Sequence, residues 1–432
     1  MLEQALGSWG QLDVRLRKVQ AITRTGLPAL AKGETALAYG LGRSYGDSCL
    51  TDHGTLWLTN GLDHFLAFDP ESGVLQVEAG VTLAQIQDMI VPKGWSLAVV
   101  PGTRFVTVGG AIANDIHGKN HHQAGSFCDH VLEIELARTD GEYITCGPNQ
   151  EQGWFAATAG GLGLTGIILR ASLQLRALRG PWLDIETVPF QGLDAFFELA
   201  DHSAQVWENT VSWIDCLSGE EPNGIFMRAN PAVDQRGTPT AQVAKSVPFT
   251  PPISLINRLS LRAFNALYLH LGRRNAGSKR LDITSFHHPL DALEFWNRIY
   301  GPRGFYQYQC VIPNANRAQA IKALLRQIKW SGQGSFLVVL KTFGAHASMG
   351  MMSFPTEGVT LALDFPNCGP RTTQLLTRLD QIVGEAGGRL YPAKDARMGP
   401  ELLRMGYPRL GEFLKYRDTG LSSNMSRRLL GE

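Results

Sequence analysis

Apolar and polar positions alternate along this chain in short runs, and the runs fall into two groups. In the first, Thr35–Tyr39 reads as a strand entering a glycine turn, Leu75–Glu78 as a second strand, and Thr82–Ile90 as a helix capped by Thr82. Val131–Ala137 alternates as a strand, Asp140-Gly141 supplies the turn before a strand at Tyr143–Cys146, and Leu169–Leu175 alternates again. Pro181 then marks a boundary. The second group runs to about residue 385. It predicts a helix starting over Asp194–Ala200, an amphipathic helix at Ala318–Trp330, and strands at Val211–Asp215, Tyr306–Ile312, Phe336–Lys341 and Val359–Phe365. That order predicts an antiparallel sheet covered by helices, and the whole chain reads as α+β. The expected division is 1–180, 181–385 and a C-terminal segment, 386–432, rich in Arg, Gly and Tyr.

Composition narrows the class. A chain of 432 residues is long enough for roughly two or three domains. With 44% hydrophobic and 18% charged residues it reads as soluble and globular. A net charge of +1 argues against a polyanionic partner such as nucleic acid. The opening residues lack the apolar core of a signal peptide, and no apolar run reaches the roughly 18–20 residues of a membrane span. A cytoplasmic protein, soluble or peripheral, is the expectation. The six cysteines contain no C-x-x-C pair, which predicts buried free thiols in a reducing compartment. Residues 235–280 hold eight Lys or Arg residues and no acidic one, interleaved with Ile253, Ile256, Leu259, Leu261, Phe264, Leu267 and Leu271. That pattern fits either an ordinary surface helix or a basic amphipathic patch for anionic lipid or a phosphate-bearing substrate.

Chemistry concentrates in glycine-rich stretches. AYGLGRSYGDS, residues 38–48, misses the dinucleotide fingerprint by one position, yet its turn can point successive N–H groups at a pyrophosphate. PGTRFVTVGGAIANDIHGKNHH, residues 101–122, offers three readings: a metal site, a phosphate cradle, or a wall built around a cofactor. A metal site at His117, His121 and His122 is disfavoured by Lys119 between them and by Gly118 and the Gly109-Gly110 pair, which do not favour one continuous helix. A cofactor wall suits the run better, because Gly109-Gly110 let backbone approach a ring or phosphate while His117 and Lys119 present polar groups. Gln307 and Gln309 share a strand face, Lys341 ends an apolar strand where an unpaired lysine is costly to bury, and Tyr391 and Lys394 follow a short strand.

Taken together, GLGRSYGD, PGTRFVTVGGAIANDIHGKNHHQAGSF, GLTGII, HPLDALEFWNRIYGPRGFYQYQCVIP, LALDFP, GGRLYPAKDAR and SRRL resemble, in order and almost end to end, the decaprenylphosphoryl-ribose oxidases of the vanillyl-alcohol oxidase superfamily. The resemblance implies a two-lobed FAD-binding fold in which the first part and the C-terminal segment hold FAD and the middle caps it with an antiparallel sheet. Cofactor contacts are implied for Ala38, Tyr39, Gly40, Leu41, Gly42, Arg43, Ser44, Tyr45, Gly46, Asp47 and Ser48. They are implied as well for Gly102, Thr107, Val108, Gly109, Gly110, Asn114, Asp115, Ile116, His117, Ile167 and Tyr391. Tyr45 stands where covalent relatives carry a flavin-linking histidine, which implies non-covalent FAD.

The implied activity is oxidation of the 2-hydroxyl of a polyprenyl-phosphate pentose to the 2-keto sugar, the first half of an epimerisation toward an arabinose donor. A short-chain NAD(P)H reductase would be the partner. Lys394, His117 and Tyr45 are the implied catalytic residues. Lys119, Gln307, Gln309, Lys341, Thr360 and Ala362 are the implied substrate contacts, the last two departing from a family asparagine and cysteine. Lys119 and residues 235–280 would meet phosphate and lipid, at the inner face of the plasma membrane. A sugar-alcohol or aldonolactone oxidase using oxygen is the alternative on the same fold.

Overall fold

Alternating runs became strands wherever one face could be buried. In the computed structural model, which describes residues 2–24, 26–237, 239 and 244–431, the strands Val131–Ala137 and Tyr143–Cys146 match their predicted bounds. They close one edge of a five-stranded antiparallel sheet, ordered Phe65–Asp69, Val74–Glu78, Ile167–Gln174, Val131–Ala137, Tyr143–Cys146. Its inward residues Leu75, Val77, Ile134 and Leu136 pack with Ile86 and Ile112 of two short helices. The first helix, Leu83–Ile90, starts where Thr82 predicts: the Thr82 hydroxyl accepts from Gln85 N at 3.1 Å, and Gln85 Oε1 accepts from Thr82 N at 2.8 Å. The second, Val108–Ala113, contains the Gly109-Gly110 pair. Glycine is a poor helix former by about 1 kcal/mol relative to alanine. Here a Cβ on Gly109 would lie 3.1 Å from the Ala79 side chain, so the close approach of helix to sheet favours glycine. A separate four-stranded sheet, ordered Leu2–Leu6, Arg15–Ala21, Thr55–Leu58, Ala36–Tyr39, launches the first glycine loop from its last strand.

The second region builds an eight-stranded antiparallel sheet. Its order is Gly277–Asp282, Trp182–Gln191, Asn223–Pro231, Asn209–Ile214, Val338–Phe343, Gly358–Pro366, Phe305–Ile312, Arg389–Leu390. One face is covered by helices Leu193–Val206, Arg317–Ser331 and Pro370–Glu385, and Phe196, Phe226, Leu324, Leu340, Leu361 and Leu379 form the fully buried core between. The opposite face carries the polar residues of the site. Within the basic stretch, residues 238 and 240–243 lie outside the described residues, and Arg258–Arg274 is a helix.

The C-terminal segment first adds Arg389–Leu390 to the large sheet and then returns to the first region. Ala36 N donates to Gly420 O at 2.8 Å, Ser422 N to Ala36 O at 3.0 Å, and Asn424 N to Leu50 O at 2.7 Å. Arg428 completes the return with a 2.9 Å ion pair to Asp47 in the glycine loop.

Candidate active site

Strand register gathers the site. Gln307 pairs with Asp364, Gln309 with Ala362, and Thr360 with both Val311 and Lys341. Directly paired residues project to the same side of a sheet. Gln307, Gln309, Lys341, Thr360, Ala362 and Asp364 therefore share one face of the sheet.

The histidine-bearing run lies against that face. The Gln309 amide donates to His117 Nε2 at 3.0 Å, Lys341 Nζ donates to the Gly118 carbonyl, and Tyr391 OH donates to the Asn114 carbonyl at 2.8 Å. The His117 ring is enclosed by Phe343, Phe354 and Tyr391 at centroid distances of 5.0, 5.6 and 5.3 Å. Burial, then Lys341, His121 and Lys394, drive its pKa well below the usual range, so the imidazole is neutral. With Nε2 accepting, the proton sits on Nδ1, and that buried donor has no partner among the described residues.

The first glycine loop closes the other side. Tyr45 N donates to Ala393 O at 3.0 Å, and the Tyr45 ring lies 3.8 Å under the Lys394 ammonium and edge-on to Phe305 at 5.7 Å. Burial lowers the Lys394 pKa to about 7, opposed by Asp364, and raises that of Asp364 to about 7, opposed by Gln307, Lys394 and Tyr300. The Asp364 carboxylate accepts from Gln307 Nε2 at 2.8 Å and from Tyr300 OH at 3.3 Å. Tyr45 is pushed far above 10 by burial and by Asp364, so its phenol keeps its proton. Lys341 is lowered to about 7 by burial and by Lys119.

The loop fits a pyrophosphate. Among the described residues, Tyr45 is the only member of 40–48 whose backbone N–H donates to another residue; those of Gly40, Leu41, Gly42, Arg43, Ser44, Gly46 and Ser48 are free to meet anionic oxygens. Gly102 is open, with nothing within 4 Å of a would-be Cβ, and Thr107 caps the Val108–Ala113 helix through Gly110 N at 3.2 Å.

Other expected contacts are placed differently. Val108 and Ile167 bury their side chains in apolar clusters, Asp47 is paired to Arg428, and Asp115 accepts from Ser126 Oγ, Ser353 Oγ and Cys128 N. The backbone N–H groups of Val108 and Asp115 are also taken, by Val81 O and Ile112 O. The Lys119 ammonium is buried and donates to His287 O at 2.8 Å. His121 packs on Phe343 at 4.5 Å with neither ring nitrogen partnered among the described residues, while His122 Nε2 bonds Trp207 O at 2.8 Å. Asp364 and Phe354, which stacks on Tyr391 at 4.7 Å, were missed. The signal for Asp364 was an acid inside the apolar LALDFP strand, at even spacing from Thr360 and Ala362.

The FAD binding domain family matches residues 11–147. Over 95% of this chain and 92% of the relative, the sequence is 35% identical to decaprenylphosphoryl-beta-D-ribose oxidase of Mycolicibacterium smegmatis. This chain belongs to the decaprenylphosphoryl-β-D-ribose oxidase family. An uncharacterized Streptomyces coelicolor protein is 32% identical over 81% of this chain and all of its own length. Delta(24)-sterol reductase of Homo sapiens is 27% identical over only 33% of this chain. The family member described here is an FAD-dependent oxidoreductase with the α+β fold of vanillyl-alcohol oxidases.

Proposed function

We propose that this chain oxidises the 2-hydroxyl of a polyprenyl-phosphate pentose to the 2-keto sugar, as the first half of an epimerisation that a short-chain NAD(P)H reductase completes. The observation that carries the reading is the likeness to the Mycolicibacterium smegmatis oxidase across nearly the whole of both chains, cap sheet included. The polar face fits such a substrate: two glutamines and a threonine to read sugar hydroxyls, and a low-pKa lysine at the reacting end. Bound FAD supplies the two-electron acceptor for the carbinol C–H. Around it, the free N–H groups of the Gly40–Ser48 loop hold pyrophosphate, Asn114–His117 and Tyr391 line the ring, and Lys394 receives the hydroxyl proton. We take residues 1–180 and 386–432 as the cofactor part and 181–385 as the cap.

The test is anaerobic bleaching of the flavin by phosphopolyprenyl pentoses, free alditols and aldonolactones, with the spent sugar identified by mass. A phosphopolyprenyl ribose is expected to bleach it and yield a product two hydrogens lighter. Bleaching by alditols or lactones alone sinks this reading in favour of a free-sugar oxidase.

The lipid tail suggests a membrane contact. Among the described residues, no helix is long and apolar enough to cross a membrane. The helix Arg258–Arg274 buries Leu261 and Asn265 and leaves Leu259, Leu267 and Leu271 exposed at 78%, 56% and 45%, beside Ile253 and Phe249 at 73% and 67%. Arg258, Arg262, Arg273 and Arg274 flank the exposed leucines on the same helix. An outward apolar stripe edged by cations suits the surface of an anionic bilayer. Leu259→Glu with Leu267→Glu is expected to abolish co-sedimentation with phosphatidylserine vesicles and to leave flavin content intact. Equal sedimentation of wild type and variant would remove this contact.

A further inference from the structure

Arg43 has five N–H donors and no acceptor. Its guanidinium lies over the Trp9 ring at 4.3 Å and 5.9 Å from the Phe105 centroid. No hydrogen bond or ion pair joins it to any described residue. Neighbouring arginines are engaged: Arg104 with Asp88 at 2.6 Å, and Arg428 with Asp47 and Asp395 at 2.9 and 3.0 Å. The carboxylate that Arg43 feels is Asp291, which already accepts from Arg104 N at 2.9 Å and does not reach an ion pair with it.

The position of this side chain is fixed from both regions. Trp9 N donates to Ser44 O at 2.8 Å, and the Trp9 ring packs edge-on against Trp296 of the cap at 5.7 Å. Arg43 thus sits where the glycine loop meets cap residues 291–296. Two residues on, Tyr45 carries the Lys394 ammonium over its ring. A half-buried guanidinium held over an indole, with its donors free of any described residue, is pre-organised for the forked grip that arginine makes on phosphate.

We propose that Arg43 binds the phosphodiester of the lipid-linked sugar. The proposal rests on the substrate reading above. In such a substrate the phosphate hangs through one oxygen from the carbon next to the oxidised one. Arg43, two residues before the tyrosine that carries Lys394 over its ring, is the cation placed to meet that group while Lys394 meets the hydroxyl. The cofactor's pyrophosphate offers the same chemistry, and the experiment separates the two sources.

Arg43→Gln and Arg43→Lys are compared with wild type in steady-state oxidation of phosphopolyprenyl ribose and in FAD titration of the apoprotein. The expected result is a KM about 10- to 100-fold higher in R43Q, with the loss falling on KM rather than kcat, and an FAD affinity within about twofold of wild type. R43K recovers part of the loss, since a point charge replaces the fork. A fall in FAD affinity with KM unchanged assigns the guanidinium to the cofactor and overturns the proposal, as does no change in either. A wild type that no phosphopolyprenyl pentose bleaches fails at the substrate reading instead, so the two failures are distinct.

Discussion

Replacing Lys394 with alanine is expected to slow oxidation of the bound alcohol by about 10²- to 10³-fold while the flavin stays bound. Tyr45 keeps its proton because burial and Asp364 push its phenol far above 10. His117 is neutral but so depressed by burial and by Lys341 that it is a weak base. The Lys394 amine, near 7, both accepts a proton at neutral pH and becomes a cation by doing so; the Lys341 amine is also near 7 but is engaged with the Gly118 carbonyl, whereas no hydrogen bond joins Lys394 Nζ to any described residue. Below about pH 7 the lysine is protonated and cannot accept. The wild-type rate of flavin bleaching should therefore climb with pH and level off above about 7. That limb should vanish in K394A. In Asp364→Asn it should move to lower pH, because the carboxylate that raises the lysine's pKa is gone. A wild-type rate that falls above pH 7 would mean that Lys394 works as a fixed cation and the base lies elsewhere.

The parts of this site that were legible in the sequence are those written in local backbone chemistry. Glycines at 40, 42 and 46 announce a turn with free N–H groups, and Thr82 followed by Gln85 announces a capped helix, because each signal lies within a few residues of its effect. Strand alternation located Gln307 and Gln309 on one face for the same reason. What was not legible depends on pairing across long separations. Asp364 belongs to the site because Gly358–Pro366 pairs with Phe305–Ile312 in a register that sets it opposite Gln307, and no local pattern contains that register. The bond that holds the Lys119 ammonium runs to a carbonyl 168 residues away, which no local pattern contains. Arg43 reads as one more loop residue until Trp9 and Phe105 are brought to its two sides.

Gly46→Ala is expected to give a protein that loses its flavin on gel filtration, where the wild type stays yellow and releases free FAD only on acid precipitation. The release follows from Tyr45, which offers no histidine for a covalent link. The loss follows from packing. A Cβ at Gly46 would fall far inside van der Waals contact with the carbonyl group of Asp395, and next to Ala396 N at 2.9 Å. These are backbone atoms, so no rotamer change relieves the overlap. Either the Gly40–Ser48 loop or the Tyr391–Asp395 turn must move. The Tyr45 N–Ala393 O bond ties the two together, and Arg428 bridges them through Asp47 and Asp395. Overpacking of this kind costs about 1–3 kcal/mol where the surroundings can shift, and more where they cannot. The cost falls on the surface that aligns the loop's free N–H groups, so FAD affinity should drop by about 10- to 100-fold. Far-ultraviolet circular dichroism is expected to show secondary structure retained, since the clash falls on a loop and a turn rather than on a strand or a helix. A Gly46→Ala variant that binds FAD as tightly as wild type would show that the loop does not form the cofactor cradle.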